Sequence, residues 1–313
     1  MQVPASASAV DTYLADTQMV DTPGPVSPGT GLPTKRSTPY WLLLPGMAWL
    51  AIFFVIPLVS LFSTSLQSPV SDNPDDGFYF NWDFANYSEA LSRYGEQFLR
   101  SFVYAGIATF LALAIAYPLA YFIAFKGGRW KALLLVLIVA PFFASFLIRT
   151  YAWKTILADQ GFVVEILNAL SLLPQDRILN TPLAVITGIT YNFLPFMILP
   201  LYAALDKIDP RLAEAGADLY ATPFTTFRKV IWPLSLPGVV AGTLLTFIPA
   251  AGDYINAKLL GSTNDRMIGS VIDSQFIIVR DYPIASALSF LLMAAILALV
   301  FIYVRRAGTE DLL

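Results

Sequence analysis

Six apolar runs, each long enough to cross the hydrocarbon core of a bilayer, constrain this chain more than any other feature of its sequence. They cover roughly 40–66, 98–125, 132–151, 181–205, 236–260 and 284–304, and a spanning helix needs about 20 residues. Inside lipid every backbone N–H and C=O must be bonded within the protein, so runs of this length read as helices. Several carry proline, at Pro57, Pro118, Pro141, Pro195, Pro200 and Pro249; each removes a backbone donor and is tolerated where neighbouring helices repair the loss. Composition agrees, with 57% apolar and 13% charged residues against about 25% charged in a soluble domain. The prediction is an all-α integral membrane protein of six transmembrane helices.

Lysine and arginine set the predicted orientation. One set of segments carries Lys35 and Arg36, then Lys126, Arg129 and Lys131, then Lys207, Arg211, Arg228 and Lys229, then Arg305 and Arg306. On the other side the first loop, about 67–97, sets Asp72, Asp75, Asp76, Asp83, Glu89 and Glu96 against Arg93 alone. The basic side is predicted to be cytoplasmic and to hold both termini, as an even number of spans requires. Residues 1–39, rich in Pro, Ser, Thr and Ala without an apolar period, are predicted to be a disordered cytoplasmic tail. Residues 40–305 would then be the transmembrane domain and 306–313 a second cytoplasmic tail. The first apolar run starts too late and runs too long for a secretory signal, so it is predicted to be a retained span.

The residue inventory argues against an enzyme. The chain has no Cys and no His, which removes thiolate chemistry, the usual zinc and haem ligands and the commonest general acid/base near neutral pH. No catalytic residue, metal site or cofactor is predicted. Neither G-x-x-x-x-G-K-[ST] nor G-x-G-x-x-G occurs, so the chain carries no phosphate-cradling loop of its own. A net charge of −3 gives no sign of a nucleic-acid partner.

The segment between the fourth and fifth runs is the exception to plain inter-span loops: DPRLAEAGADLYATPFTTFRKVIWPLSLPG, residues 209–238. Asp209-Pro210 reads as a helix start, with the carboxylate accepting from free N–H groups and proline suited to the first turn. Leu212, Ala215, Gly216, Leu219 and Tyr220 recur at helical spacing, with Glu214 and Asp218 on another face. Thr222-Pro223 repeats the start signal, and Phe224, Phe227, Val230 and Ile231 form a second stripe flanked by Arg228 and Lys229. Pro233 is predicted to end or bend that second helix. A helix resting on lipid would explain amphipathicity. However, the acidic face of the first helix would be repelled by anionic lipid, and Ala213, Ala215, Gly216 and Ala217 permit close approach by another protein.

That loop resembles the EAA motif of ABC-importer permeases, E-A-A-x-x-x-G-x(9)-I-x-L-P. Glu214 and Ala215 match the first two positions, Val230 stands for the Ile, and Pro233 matches the last Pro. Gly216 replaces the third residue, Ala; Tyr220 stands where the family has Gly; Trp232 replaces Leu. The resemblance implies a type I ABC-importer permease fold with a cytoplasmic coupling helix. It also implies partners: a dimer of separate cytoplasmic ATP-binding subunits, a second permease subunit in a heterodimer, and an extracytoplasmic solute-binding protein, all at a lipid membrane. Glu214, Ala215, Gly216, Leu219, Tyr220 and Pro233 are the residues it assigns to coupling.

Residues 133–157, 192–209, 248–262 and 267–288 are similar to the spans and outer loop of spermidine/putrescine permease subunits, those of the first, B/H-type, chain above all. Relatives of this layout carry other solutes, including sulfate, ferric ion and molybdate, so a permease for one of those stays open. A secondary transporter would show several intramembrane charges or matched broken helices, and a membrane enzyme would show clustered polar catalytic groups. A polycation needs carboxylates and aromatic faces on its route. Asp253 in IPAAGDYIN falls inside the predicted fifth span, with Asn256 one turn on; an ionisable group at that depth is costly and faces a cavity or a partner. Either a solute route or an ion pair with a base such as Lys258 would account for it. Arg149 and Lys154 are predicted to anchor the outer end of the third span or to contact the binding protein.

Overall fold

The computed structural model describes residues 38–71, 76–170 and 177–307. The predicted tails at 1–39 and 306–313 lie outside them apart from residues 38–39 and 306–307, as do Asp72 and Asp75 of the acidic loop. The chain divides into two compact units, residues 1–57 and 58–313.

In the first unit α1 (Thr38–Leu50) runs into a π-helical turn, Ala51–Val55, and the start of α2 (Ile56–Ser65). Pro57 lacks the N–H that would bond four residues back, and its ring crowds that carbonyl, so the turn before it widens. The apolar stretch Leu43–Ser65 is long enough to span a membrane.

In the second unit the rest of α2 leads to a short two-stranded antiparallel ribbon, β1 (Gln67–Pro69) with β2 (Phe78–Phe80), in an otherwise helical fold. Asp83 then starts α3 (Ala85–Tyr121) by accepting from the Ala85 N–H at 3.0 Å. At 37 residues, α3 begins well before the apolar run that predicted it. It is about 55 Å long, more than a bilayer core needs. Its face of Ala105, Ala108, Ala112, Ala116 and Ala120 is fully buried. Small residues let helix backbones approach closely in lipid, where packing rather than water drives association. Against that face lie α7 (Pro182–Asp206) and α10 (Trp232–Ala251). The α7–α10 contact depends on Gly238 and Gly242: a Cβ on Gly238 would sit 2.5 Å from Ala204 Cβ, and one on Gly242 would sit 3.1 Å from the Met197 carbonyl oxygen. The last helix, α13 (Tyr282–Ala307), packs through Ile284, Ala287 and Leu288 on the Ala90 and Phe98 side of α3.

Two predicted spans are broken. The third bends by 95° between Gly128–Phe143 and Phe146–Ile156. Its first half is α4 (Lys131–Val139) with a 3-10 turn, Ala140–Phe143, and its second is α5 (Phe146–Ile156). Pro141 cannot sit in the interior of α4 without clashing with a carbonyl one turn back, and Ala144 and Ser145 become extended. After α5 comes a short α6 (Phe162–Ala169). The fifth predicted span, 236–260, stops at Ala251; Gly252 to Tyr254 are non-helical, and α11 (Ile255–Leu260) follows as a separate piece. Among the described residues, five helical runs are thus long and apolar enough to cross a membrane, or six with the bent pair counted as one.

Candidate functional site

The 209–238 segment folds from local signals. The Asp209 carboxylate accepts from the Arg211 N–H (2.9 Å) at the start of α8 (Pro210–Asp218). α8 closes at Tyr220, whose φ is +58°, and the Ala221 N–H donates to the Gly216 carbonyl at 3.0 Å. This is the cap in which one left-handed residue ends a helix. The position where the resembled motif has glycine is therefore left-handed in this chain. Tyrosine holds that conformation at a cost of about 1–2 kcal/mol, and the turn stays tight. Thr222 Oγ1 then accepts from the Thr225 N–H (3.3 Å) to start α9 (Pro223–Thr226).

The motif residues divide by environment. Gly216 packs against buried Thr226; an added Cβ would lie 2.9 Å from Thr226 Oγ1, which accounts for glycine where the motif has alanine. Glu214, Ala215 and Asp218 are exposed. Leu219 is 81% and Tyr220 97% exposed, and Leu212 and Phe224 are exposed with them. The second predicted stripe splits. Phe224 faces out, while Phe227 lies edge-on to Tyr117 at 5.6 Å and Ile231 is buried in the bundle. Pro233 does not end the second helix. A π turn, Phe227–Ile231, widens ahead of it, and one helical run continues from Pro223 to Ala251.

At the far end of that run lies Asp253, in the break rather than within a helix. It is buried; one carboxylate oxygen accepts from the Asn256 backbone N–H at 2.7 Å and the other from the Asn256 side-chain amide at 2.9 Å. A carboxylate only accepts, which orients the amides beyond it. Asn256 turns its Nδ2 to Asp253 and its Oδ1 to Asn192, whose Nδ2 donates at 3.1 Å and also reaches Thr150 Oγ1 at 3.2 Å. Thr150, on α5 just beyond the bend, donates to the Phe146 carbonyl at 3.1 Å. Both broken spans therefore meet in one buried polar network, anchored by Asn192 on unbroken α7.

The ion pair of Asp253 with Lys258, the alternative to a solute route, does not form; Lys258 bonds Asp273 at 3.0 Å. Asp253 and Asn256 are brought together, and Thr150 and Asn192, which sequence reasoning passed over, join them. Their signal was available as polar residues inside apolar runs. Arg149 packs within the protein. It is buried beyond the bend, with its guanidinium carbon 4.5 Å from the Phe142 ring centre, while Lys154 is exposed. The described acids of the first loop have protein partners: Asp83 accepts from Ser68 Oγ (2.8 Å), Asp76 from Ser71, and Glu89 and Glu96 pair with Arg93 and Arg100.

Residues 87–307 match the family described as binding-protein-dependent transport system inner membrane component. The spermidine/putrescine transport system permease protein PotB of Haemophilus influenzae is 40% identical over 261 residues, 82% of this chain and 90% of that protein. Its namesake in Escherichia coli K12 is 36% identical over 263 residues, 83% of this chain and 94% of that one. Among solved structures, a chain of a bacterial alginate ABC transporter in complex with alginate pentasaccharide-bound periplasmic protein superposes with a TM-score of 0.60. It shares 20% sequence identity and covers 86% of this chain and 94% of its own, a likeness of fold.

Proposed function

We propose that this chain, which belongs to the family of binding-protein-dependent transport system inner membrane components, is the permease subunit of an ATP-driven polyamine importer. It is a multi-pass protein of the cytoplasmic membrane with the type I ABC-importer permease fold. The observation that carries the substrate class is the likeness to spermidine/putrescine permeases across nearly the whole apolar part of the chain. The basic ends of the spans support a cytoplasmic position for both termini and for the α8–α9 loop. In this reading, 40–305 is the transmembrane domain between two cytoplasmic tails. Its partners are a cytoplasmic ATP-binding dimer, a second permease subunit and an extracytoplasmic solute-binding protein.

Transport in this reading needs motion at the ATPase to reach the solute route. The exposed apolar residues Leu219 and Tyr220, with Glu214 and Ala215 beside them on α8, dock on the ATPase. Gly216 locks α8 to α9, and α9 is continuous with α10 through Pro233. That run of 29 residues is about 43 Å long, so a displacement of α8 is delivered as a lever to the Asp253 break. Asp253 and Asn256 lie on the solute route in this proposal. In support, the Asp253 carboxylate forms no ion pair with Lys or Arg among the described residues, so no fixed cation of the chain occupies it.

Reconstitution tests the reading. The purified chain alone in liposomes should hydrolyse no ATP and move no solute. With both partner subunits and a spermidine-loaded binding protein it should take up spermidine only with ATP. Uptake by the chain alone on an ion gradient would identify a secondary transporter, and uptake of sulfate, ferric ion or molybdate instead would replace the substrate. Asp253→Asn should weaken polyamine uptake; normal uptake by a folded Asp253→Asn protein would take Asp253 off the route.

A further inference from the structure

Beyond α11, on the opposite end of the bundle from α8, a cavity of about 210 Å³ opens between the α11 end and α12 (Ile268–Ser274). Lys258, Ser262, Thr263, Arg266, Asp273 and Ser274 line it. We propose that this cavity receives an aspartate or glutamate side chain of the solute-binding protein, and so forms part of the docking surface for that partner. The proposal rests on the importer reading above, which places this end outside the cytoplasm.

The walls of the cavity are built rather than loose. Ser262 and Asp265 form a reciprocal cap: the Ser262 N–H and hydroxyl both donate to the Asp265 carboxylate, at 2.9 and 2.6 Å. The Tyr104 hydroxyl on α3 donates to the other Asp265 oxygen at 3.2 Å. Asp265 is buried, with one oxygen held by Ser262 of the cavity wall and the other by Tyr104, and does not itself line the cavity. Gly261 makes the turn possible, since a Cβ there would lie 2.8 Å from both the Ala257 carbonyl and Val185 Cγ2. A preformed pocket binds without the entropy loss of ordering a loop.

The charge balance selects the occupant. Lys258 is neutralised by Asp273 at 3.0 Å. Arg266 is exposed and has no ion pair among the described residues, which leaves the cavity one net positive charge beside the Thr263 and Ser274 hydroxyls. A guanidinium fork with flanking hydroxyls matches a carboxylate and repels the polycationic solute. The anion must therefore come from something other than the cargo. The family of this chain depends on a binding protein, which supplies a partner on this side.

The test measures affinity of fluorescent, spermidine-loaded binding protein for the complete importer in nanodiscs across a salt series. Arg266→Glu should weaken binding about tenfold and flatten its salt dependence, because a charge at an interface rim acts through electrostatic attraction. Asp273→Asn frees Lys258 and should strengthen binding a few-fold. Affinities within twofold of the unmodified importer for both variants would overturn the pocket while leaving the importer reading intact. No binding by the unmodified importer would overturn both.

Discussion

The two ends of the helical run Pro223–Ala251 are built on opposite principles. At the α8 end each device is local: Asp209 and Thr222 cap helices within three residues of themselves, and Tyr220 ends one by its own backbone. Large apolar side chains are left exposed there. At the Asp253 end the devices are distant in sequence, with Thr150, Asn192 and Asn256 bonded in a buried network. A surface left apolar and exposed is available to a partner, whereas polar groups buried in a membrane protein must be satisfied within the chain. One end is made to be completed by another protein, and the other is held by bonds between segments of this chain.

The comparison is most exposed to failure at Asn256. Replacing Asn256 by Leu removes the amide that holds Asp253 and Asn192 together. Loss of a hydrogen bond to a buried carboxylate costs about 1.5–3 kcal/mol. The thermal unfolding midpoint of the purified protein should drop markedly, and an unchanged midpoint would mean that the network holds nothing. Lys258→Met, which removes only a half-exposed pair with Asp273, should leave that midpoint nearly unmoved. It should also fail to rescue Asp253→Asn; rescue would restore the ion-pair explanation.

At the other end the expected pattern reverses. Glu214→Arg should leave the unfolding midpoint unchanged, since the side chain is exposed. Solute-stimulated ATP hydrolysis by the assembled importer should fall about tenfold, as reversal of a charge at a docking surface allows. Wild-type stimulation in that variant would remove the docking role of α8. The smallest effect is local. Tyr220→Gly relieves a left-handed tyrosine and should stabilise the end of α8 by about 1 kcal/mol. This is measurable as slower hydrogen exchange at the Ala221 N–H, and faster exchange would show that the tyrosine ring contributes more than its backbone costs.

Much of the fold was legible in the sequence because bilayer thickness converts apolar length directly into helices. The α8–α9 loop was legible because caps are three-residue events, so Asp209-Pro210 and Thr222-Pro223 announced both starts. The breaks were not. Pro141 is followed by a bend, yet Pro118, Pro195 and Pro200 lie inside continuous helices. A proline fixes only a lost donor and a crowded carbonyl, and the neighbours decide whether the helix absorbs them. Asp253 was recognised as costly, but of the partners open to it in the sequence the one named was a charge, Lys258, whereas the groups that reach it are amides.

By itself the sequence determined a helical membrane protein, the positions of its spans, and an amphipathic loop between two of them. Those properties follow from hydrophobicity summed along the chain and from hydrogen bonds closed within one turn. Only the tertiary structure decided that Gly216 is used for packing while Leu219 and Tyr220 stay exposed, that Pro233 lies within a continuous lever, and that Asn256 links Asp253 to Asn192 on α7. Each of these depends on which helix faces which at distances of a few ångströms, and small residues such as Gly238 and Gly242 set those distances by how closely they let two backbones approach.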